Sequence, residues 1–264
     1  MMIAISSNLC TGCSNCINVC PVKVIELSDK GIAKIVRPDF CVRCAHCICV
    51  CPKKAISAEF TESILGKSTK NIDMPTSKQV ENFMLTRRSI RAYSKKDVGR
   101  EKIEKILQIA VHAPTAHNDQ NVKFIVVGPD KTEELETLAH NYYTGLMEDT
   151  IGVITREAGF KILLGAPVAI ALYAEKSDEG DMNLSLWNCL IEAQNLLLAT
   201  HGIGLGGCYN GLLLYAYNND PKLQEFFSLS EDMKIYMFVV LGYPDPKIKY
   251  RKLIDRKKPV ITWK

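Results

Sequence analysis

Apolar residues in the second half of the chain recur with two periods. Ile103, Ile106, Leu107 and Ala110 fall at helical spacing and predict an amphipathic helix ending before Pro114. Lys123–Val127, closed by Gly128, predicts a short buried strand, and Val168–Ala174 and Ile235–Leu241 predict two more. Between these last two, Trp187, Leu190, Ile191, Gln194, Leu197 and Leu198 predict the packing strip of a long helix over residues 184–200, which is apolar nearly all round. Alternating helices and strands make this an α+β domain. Upstream, Thr61, Ser63, Lys67, Ser68, Thr69, Lys70, Asn71 and Pro75 form a polar, aperiodic stretch of linker composition. The expected division is a small domain at 1–60, a linker at 61–78 and a larger domain at 79–264.

Composition narrows the class. The chain has 264 residues, 47% of them hydrophobic, enough for a substantial core. Met1–Leu9 is too short and weakly apolar for an export signal, and the longest apolar stretch, Ile162–Ala174, is broken by Gly165 and Pro167, so the expected location is the cytoplasm. A formal charge of +4, from 33 basic and 29 acidic residues, is too balanced for a nucleic-acid partner, although Lys247–Lys258 is locally basic.

Eleven cysteines change the picture, because eight crowd into the first 51 positions. In an exported small protein they would suggest disulfides; here metal ligation is the better reading. Cys10, Cys13, Cys16 and Cys20-Pro21 recur 31 positions later as Cys41, Cys44, Cys47 and Cys51-Pro52, and Lys23 and Ile25 recur as Lys54 and Ile56. That is a duplicated half-domain. Cysteines at i, i+3 and i+6 let one tight loop wrap three corners of an iron–sulfur cubane, while the cysteine before proline reaches a neighbouring cluster. Zinc would take one tetrahedral set of four and would not require the run twice. Cys49, Cys189 and Cys208 lie outside the repeat and are expected to be small buried hydrophobes, and His46 a surface or hydrogen-bonding residue.

The repeat resembles that of bacterial two-cluster ferredoxins. The resemblance implies two [4Fe-4S] clusters, one on Cys10, Cys13, Cys16 and Cys51, the other on Cys20, Cys41, Cys44 and Cys47.

Three further segments carry a second resemblance: Arg87-Arg88-Ser89-Ile90-Arg91, Ala113-Pro114-Thr115-Ala116-His117-Asn118-Asp119-Gln120 and Gly202-Ile203-Gly204-Leu205-Gly206-Gly207. Their order and separation, with Leu241-Gly242-Tyr243-Pro244 before a basic tail, are similar to the nitroreductase family of flavoproteins over about residues 80–264. The resemblance implies a central, mainly antiparallel sheet flanked by helices, and FMN at the interface of an intertwined homodimer. Arg87, Arg88, Lys249 and Arg251, with the Ser89 hydroxyl and Arg91 of the same motif, suit a phosphate of nearly two negative charges. Pro114, Thr115, Ala116, Asn118 and Gln120 match the loop along the ribityl chain and ring, and Leu205, Gly206 and Gly207 the backbone near the reactive side of the flavin. The sequence departs from the family after Gln120, where Asn121 and Val122 replace the usual Pro and Trp. The apolar helix at 184–200 and the tail Pro259-Val260-Ile261-Thr262-Trp263 suggest burial against a second subunit.

No Ser-His-Asp set, metalloprotease motif or phosphate-binding P-loop is present, and flavin chemistry needs no dedicated acid or base. The fusion implies an oxidoreductase in which a low-potential donor such as ferredoxin, or NAD(P)H, supplies electrons, the clusters pass them to FMN, and FMN reduces a nitroaromatic, quinone or activated double bond. The alternatives are an electron-carrier module that docks redox partners without its own substrate, clusters that serve structure alone, and a nucleic-acid or regulatory role for the basic tail. Residues 140–160 and 175–185 are the expected substrate-facing variable segments.

Overall fold

The computed structural model describes residues 3–61, 69, 72–146, 150–176, 183–254 and 256–264. Much of the expected linker, and positions 147–149 and 177–182 of the expected variable segments, lie outside these residues. The chain divides into two compact units, Met1–Met74 with His117–Asp119, and Pro75–Ala116 with Gln120–Lys264. Among the described residues no helix is long and apolar enough to cross a membrane.

The first unit is built from short pieces: β1 (Ile3–Ile5), α1 (Asn15–Asn18), β2 (Ile25–Leu27), β3 (Ala33–Ile35), α2 (His46–Cys49) and β4 (Ile56–Ala58). β1 pairs antiparallel with β4, setting Ile5 opposite Ile56, and β2 pairs with β3, setting Ile25 opposite Ile35. The sequence repeat is also a repeat of dihedral angles. α1 and α2 each follow a left-handed residue, Ser14 (φ 63°) and Ala45 (φ 58°), and Lys23 and Lys54 both sit at φ 51°. Left-handed backbone costs about 1–2 kcal/mol at a residue with a side chain. Its recurrence under serine in one half and alanine in the other ties it to the loop shape that both cysteine runs share. Gly12 (φ 67°) lies against the carbonyl of Gly31 at the tip of the β2–β3 hairpin, leaving no room for a Cβ.

The second unit contains α3 (Ser77–Thr86), α4 (Arg100–Ala110), β5 (Lys123–Val127), α5 (Pro129–Gly145), α6 (Thr150–Ala158), β6 (Val168–Glu175), α7 (Leu184–Gly202), β7 (Gly206–Tyr209), α8 (Gly211–Asn219), α9 (Pro221–Phe227) and β8 (Met233–Gly242). Its sheet is antiparallel throughout, in the order β5-β6-β8-β7. The α+β class and the antiparallel sheet expected from the sequence are both present. Both faces are covered, as the alternation of β6 requires. Val168, Ile170 and Leu172 point into a core shared with α4 and α7, while Ala169 and Ala171 point into one shared with α5, α8 and α9.

Two expectations are corrected. β5 forms where predicted but is an edge strand: Val127 is buried, yet Val126 is 39% exposed. An apolar run does not distinguish an edge from a centre. α7 also forms as predicted, but Trp187, Leu190 and Ile191 are exposed, and only Leu197 of the expected strip is buried. The buried face carries Ser185, Asn188, Cys189, Glu192, Ala193, Leu196, Ala199 and Thr200. A helix apolar on every side packs its small residues inward, where they let the backbone approach the sheet.

Gly206 opens β7 beside Ile90, whose amide donates to the Gly207 carbonyl at 3.1 Å. A Cβ on Gly206 would stand 2.6 Å from Ile90 Cγ1. Gly206→Ala is therefore expected to destabilise the fold by about 1–3 kcal/mol. Ile90→Ala in the same chain is expected to recover part of the loss, and urea unfolding of the four members of the cycle measures both.

Candidate functional site

The eight repeat cysteines line two hollows. Cys10, Cys13, Cys16 and Cys51 line the first, and Cys20, Cys41, Cys44 and Cys47 the second. Among the described residues no three His, Cys, Asp or Glu side chains gather as they would around one metal ion; the sulfurs stand around hollows instead. Backbone amides serve as sulfur donors: Ala33 to Cys10 Sγ (3.4 Å), Ala55 to Cys51 Sγ (3.2 Å) and Val24 to Cys20 Sγ (3.4 Å). Such bonds orient sulfurs as ligands for a metal cluster. Burial, followed by the neighbouring Cys44 and Cys41, pushes the Cys47 thiol up to about 11. The donor set fits iron–sulfur clusters. Cys189 and Cys208 are buried as expected, whereas Cys49 is exposed. α2 is a single turn, and position 49 falls on its outer side.

In the second unit, the motif after α3 lies along β7. Ser89 forms a parallel bridge with Gly207. Arg88 donates to the Lys252 carbonyl, and its guanidinium stands 5.2 Å from the centre of the Tyr250 ring. The structure thus gathers Arg88, Ser89, Gly207 and the basic tail carrying Lys249 and Arg251. Arg87 and Arg88 are half-buried, and Arg91, Lys249 and Arg251 are exposed. Guanidinium, ammonium and hydroxyl donors in one neighbourhood suit a dianionic phosphate, so the residues fit an FMN phosphate. Gly206 and Gly207 lie in a strand, with Leu205 buried just before it.

A second group forms around Asn188, which the sequence reading passed over. This residue is 1% exposed; its Oδ1 accepts from the Ala116 amide (2.9 Å) and its Nδ2 donates to Asn121 Oδ1 (3.1 Å). Thr115 Oγ1 accepts from the Gln120 amide (3.1 Å). Asn188 therefore holds the Pro114–Asn121 segment from both ends. Asn118 is placed apart, grouping with the first unit, where its amide donates to the Arg43 carbonyl (3.3 Å). The signal for Asn188 was available: an amide inside an apolar helix needs a partner.

His201, also passed over, stacks 4.9 Å from Phe83 and meets Thr86 Oγ1 at 3.1 Å. The Thr86 hydroxyl donates to the Asn82 carbonyl (2.7 Å), so His201 Nε2 carries the proton that reaches Thr86. Burial, then Arg87, hold the imidazole below its ordinary pKa, in its neutral form.

These geometries agree with the comparisons. Residues 84–243 match the nitroreductase family model, and residues 2–53 match that of the 4Fe-4S dicluster domain. The chain belongs to the nitroreductase family, fused to an N-terminal iron–sulfur ferredoxin domain, and is an oxidoreductase. A protein of Methanothermobacter thermautotrophicus, provisionally named NADH dehydrogenase/NAD(P)H nitroreductase, is 32% identical over 72% of this chain and 90% of its own. One of the same name from Archaeoglobus fulgidus is 31% identical over 67% and 92%. A solved nitroreductase with bound FMN from Bacteroides fragilis superposes with a TM-score of 0.62, covering 70% of this chain and 99% of that one, at 19% identity. Another from Desulfitobacterium hafniense, also with bound FMN, gives 0.59 over 72% and 100%, at 24% identity. At these identities the two structures speak for the fold.

Glu192 is the one buried side chain whose oxygen lacks a hydrogen-bond partner among the described residues. It is 3% exposed, and burial raises its carboxyl from 4.5 to about 7. A raised carboxyl pKa means that the folded chain holds the proton more tightly than the unfolded one. The stability it contributes is complete below pH 4.5 and is lost as pH rises through 7. Glu192→Gln cannot ionise, so its stability is expected to exceed that of the wild type by about 3 kcal/mol at pH 8 and to converge with it below pH 4.5. Denaturant unfolding across that range measures the difference, and parallel pH curves would refute the assignment.

Proposed function

We propose that the chain is an FMN-dependent oxidoreductase in which two [4Fe-4S] clusters pass single electrons to FMN, which in turn reduces an organic acceptor such as a nitroaromatic, a quinone or an activated double bond. The observation that carries this reading is the sorting of eight cysteines into two crossed sets of four, each around its own hollow. Two complete sets are more than a folding role needs, and a flavin is the group that joins one-electron donors to two-electron acceptors. In this reading residues 1–60 are the electron-input domain, 61–78 the linker and 79–264 the flavin domain.

Each part of the chain has a defined task. Cys10, Cys13, Cys16 and Cys51 hold one cluster, and Cys20, Cys41, Cys44 and Cys47 the other. Arg87, Arg88, Ser89, Arg91, Lys249 and Arg251 neutralise the FMN phosphate, Arg88 by tethering the tail that carries the last two. Pro114, Thr115, Ala116 and Gln120 line the ribityl chain and ring, with Asn188 fixing the loop, and Asn118, which groups with the first unit, is left out of this set. Leu205, Gly206 and Gly207 present backbone to the ring. The names of the relatives point to NAD(P)H as donor, and the cysteine domain to a low-potential carrier such as ferredoxin.

Chain purified without oxygen is expected to contain about eight iron atoms, with one FMN. Reduced ferredoxin or a low-potential viologen is expected to bleach the FMN band, and Cys10→Ala to slow that bleaching. Unchanged flavin reduction in the variant would rule out the relay, and equally fast bleaching by NAD(P)H in the same variant would assign hydride input directly to FMN.

We also propose a homodimer with FMN at its interface. Trp187, Leu190 and Ile191 form an exposed apolar stripe on α7, and Val260 and Trp263 are almost fully exposed in the tail. Sedimentation is expected to give twice the chain mass, and Trp187→Glu with Ile191→Glu to give the single mass with loss of bound FMN.

A further inference from the structure

The two sulfur hollows come from one repeat, so positions 31 apart can be compared directly. Thr11, Ser14 and Lys53 line the first hollow, and the equivalent residues Val42, Ala45 and Val22 line the second. At these three positions the first hollow carries Thr, Ser and Lys where the second carries Val, Ala and Val. The fourth pair, Asn15 and His46, is polar on both sides. Apolar residues wall both hollows, Ile5, Ala33, Ala55 and Ile56 the first, and Ile3, Val19, Val24 and Phe60 the second.

The sulfurs are treated unequally as well. Two of the three amide donors serve the first set, at Cys10 and Cys51, and one serves the second, at Cys20. Cys13 of the first set is exposed, whereas no cysteine of the second set is. Arg43 and Lys53 are both exposed, and of the two only Lys53 lines a hollow.

Reduction of a bound cluster adds one negative charge and needs no bond or proton to change. A nearby cation, N–H···S bonds and access to water stabilise that charge. Resting on the ligand assignment above, we infer that the two clusters are inequivalent: the one held by Cys10, Cys13, Cys16 and Cys51 takes the first electron, at the higher potential, and Lys53 is a principal cause of the separation. The cluster held by Cys20, Cys41, Cys44 and Cys47 is then the stronger reductant of the pair.

The test uses the full chain, anaerobically reconstituted, with iron and sulfide quantified before a reductive titration followed by electron paramagnetic resonance. Two separate reduction steps are expected. Lys53→Val, which installs the residue found at the equivalent position, is expected to lower the reduction constant of the first step about tenfold, or about 59 mV for one electron, and to leave the second in place. Val22→Lys is expected to raise the second step and leave the first. Eight irons reduced in one step, or a Lys53→Val chain in which the lower step moves or neither does, would overturn the inference while leaving the ligand assignment intact. Reconstituted chain with fewer than two clusters would overturn the ligand assignment itself, and the inference with it.

Discussion

The pairing of β6 with β8 is the constraint on which the flavin-type domain is built. Eight residues of β6 find partners on β8, and most of both strands are buried. Strands buried on two faces must be apolar on two faces, so helices have to cover the sheet from both sides. α7 covers one side and carries Asn188, Glu192 and His201 with it. β7 adds to the far edge of β8 and places Gly206 and Gly207 beside the Arg88-Ser89 segment. The candidate site is thus assembled from segments far apart in sequence by one ladder at the centre of the domain.

The first unit obeys a different constraint. Among the described residues its core cluster holds six buried side chains, two of them Cys16 and Cys20. A unit of this size buries too little apolar surface to be more than marginally stable on its own. Its sulfurs are therefore part of the packing as well as the chemistry, and any group the thiols bind contributes directly to folding. The left-handed residues at 14, 23, 45 and 54 are the local strain of wrapping two short loops around those sulfurs.

Much of this was legible in the sequence, for reasons that differ by element. The cysteine run could be read because its spacing, its proline and its duplication are all local. The helices and central strands could be read because burial on a sheet imposes a period. α7 was found but turned the wrong way, since a helix apolar on every side has no periodic signal to orient it, and the decisive feature was the small size of Ala193, Ala199 and Ser185. β5 read as buried because edge position is a property of the sheet, not the strand. Cys49 read as buried because cysteine usually is. Asn188 and Glu192 were missed because a single polar residue within an apolar helix leaves no pattern, only an anomaly.

The close approach of Gly12 to the Gly31 carbonyl has a consequence for how this protein can change over generations. Hairpin tips exposed to water normally accept insertions and substitutions freely. Here the tip of the β2–β3 hairpin rests on the loop between Cys10 and Cys13, so a residue added at the tip, or any side chain at position 12, would push that loop outward. A turn that looks free to drift is held by the cysteine loop beneath it, and the second half keeps the left-handed backbone at the matching position with Arg43 (φ 53°) in place of glycine.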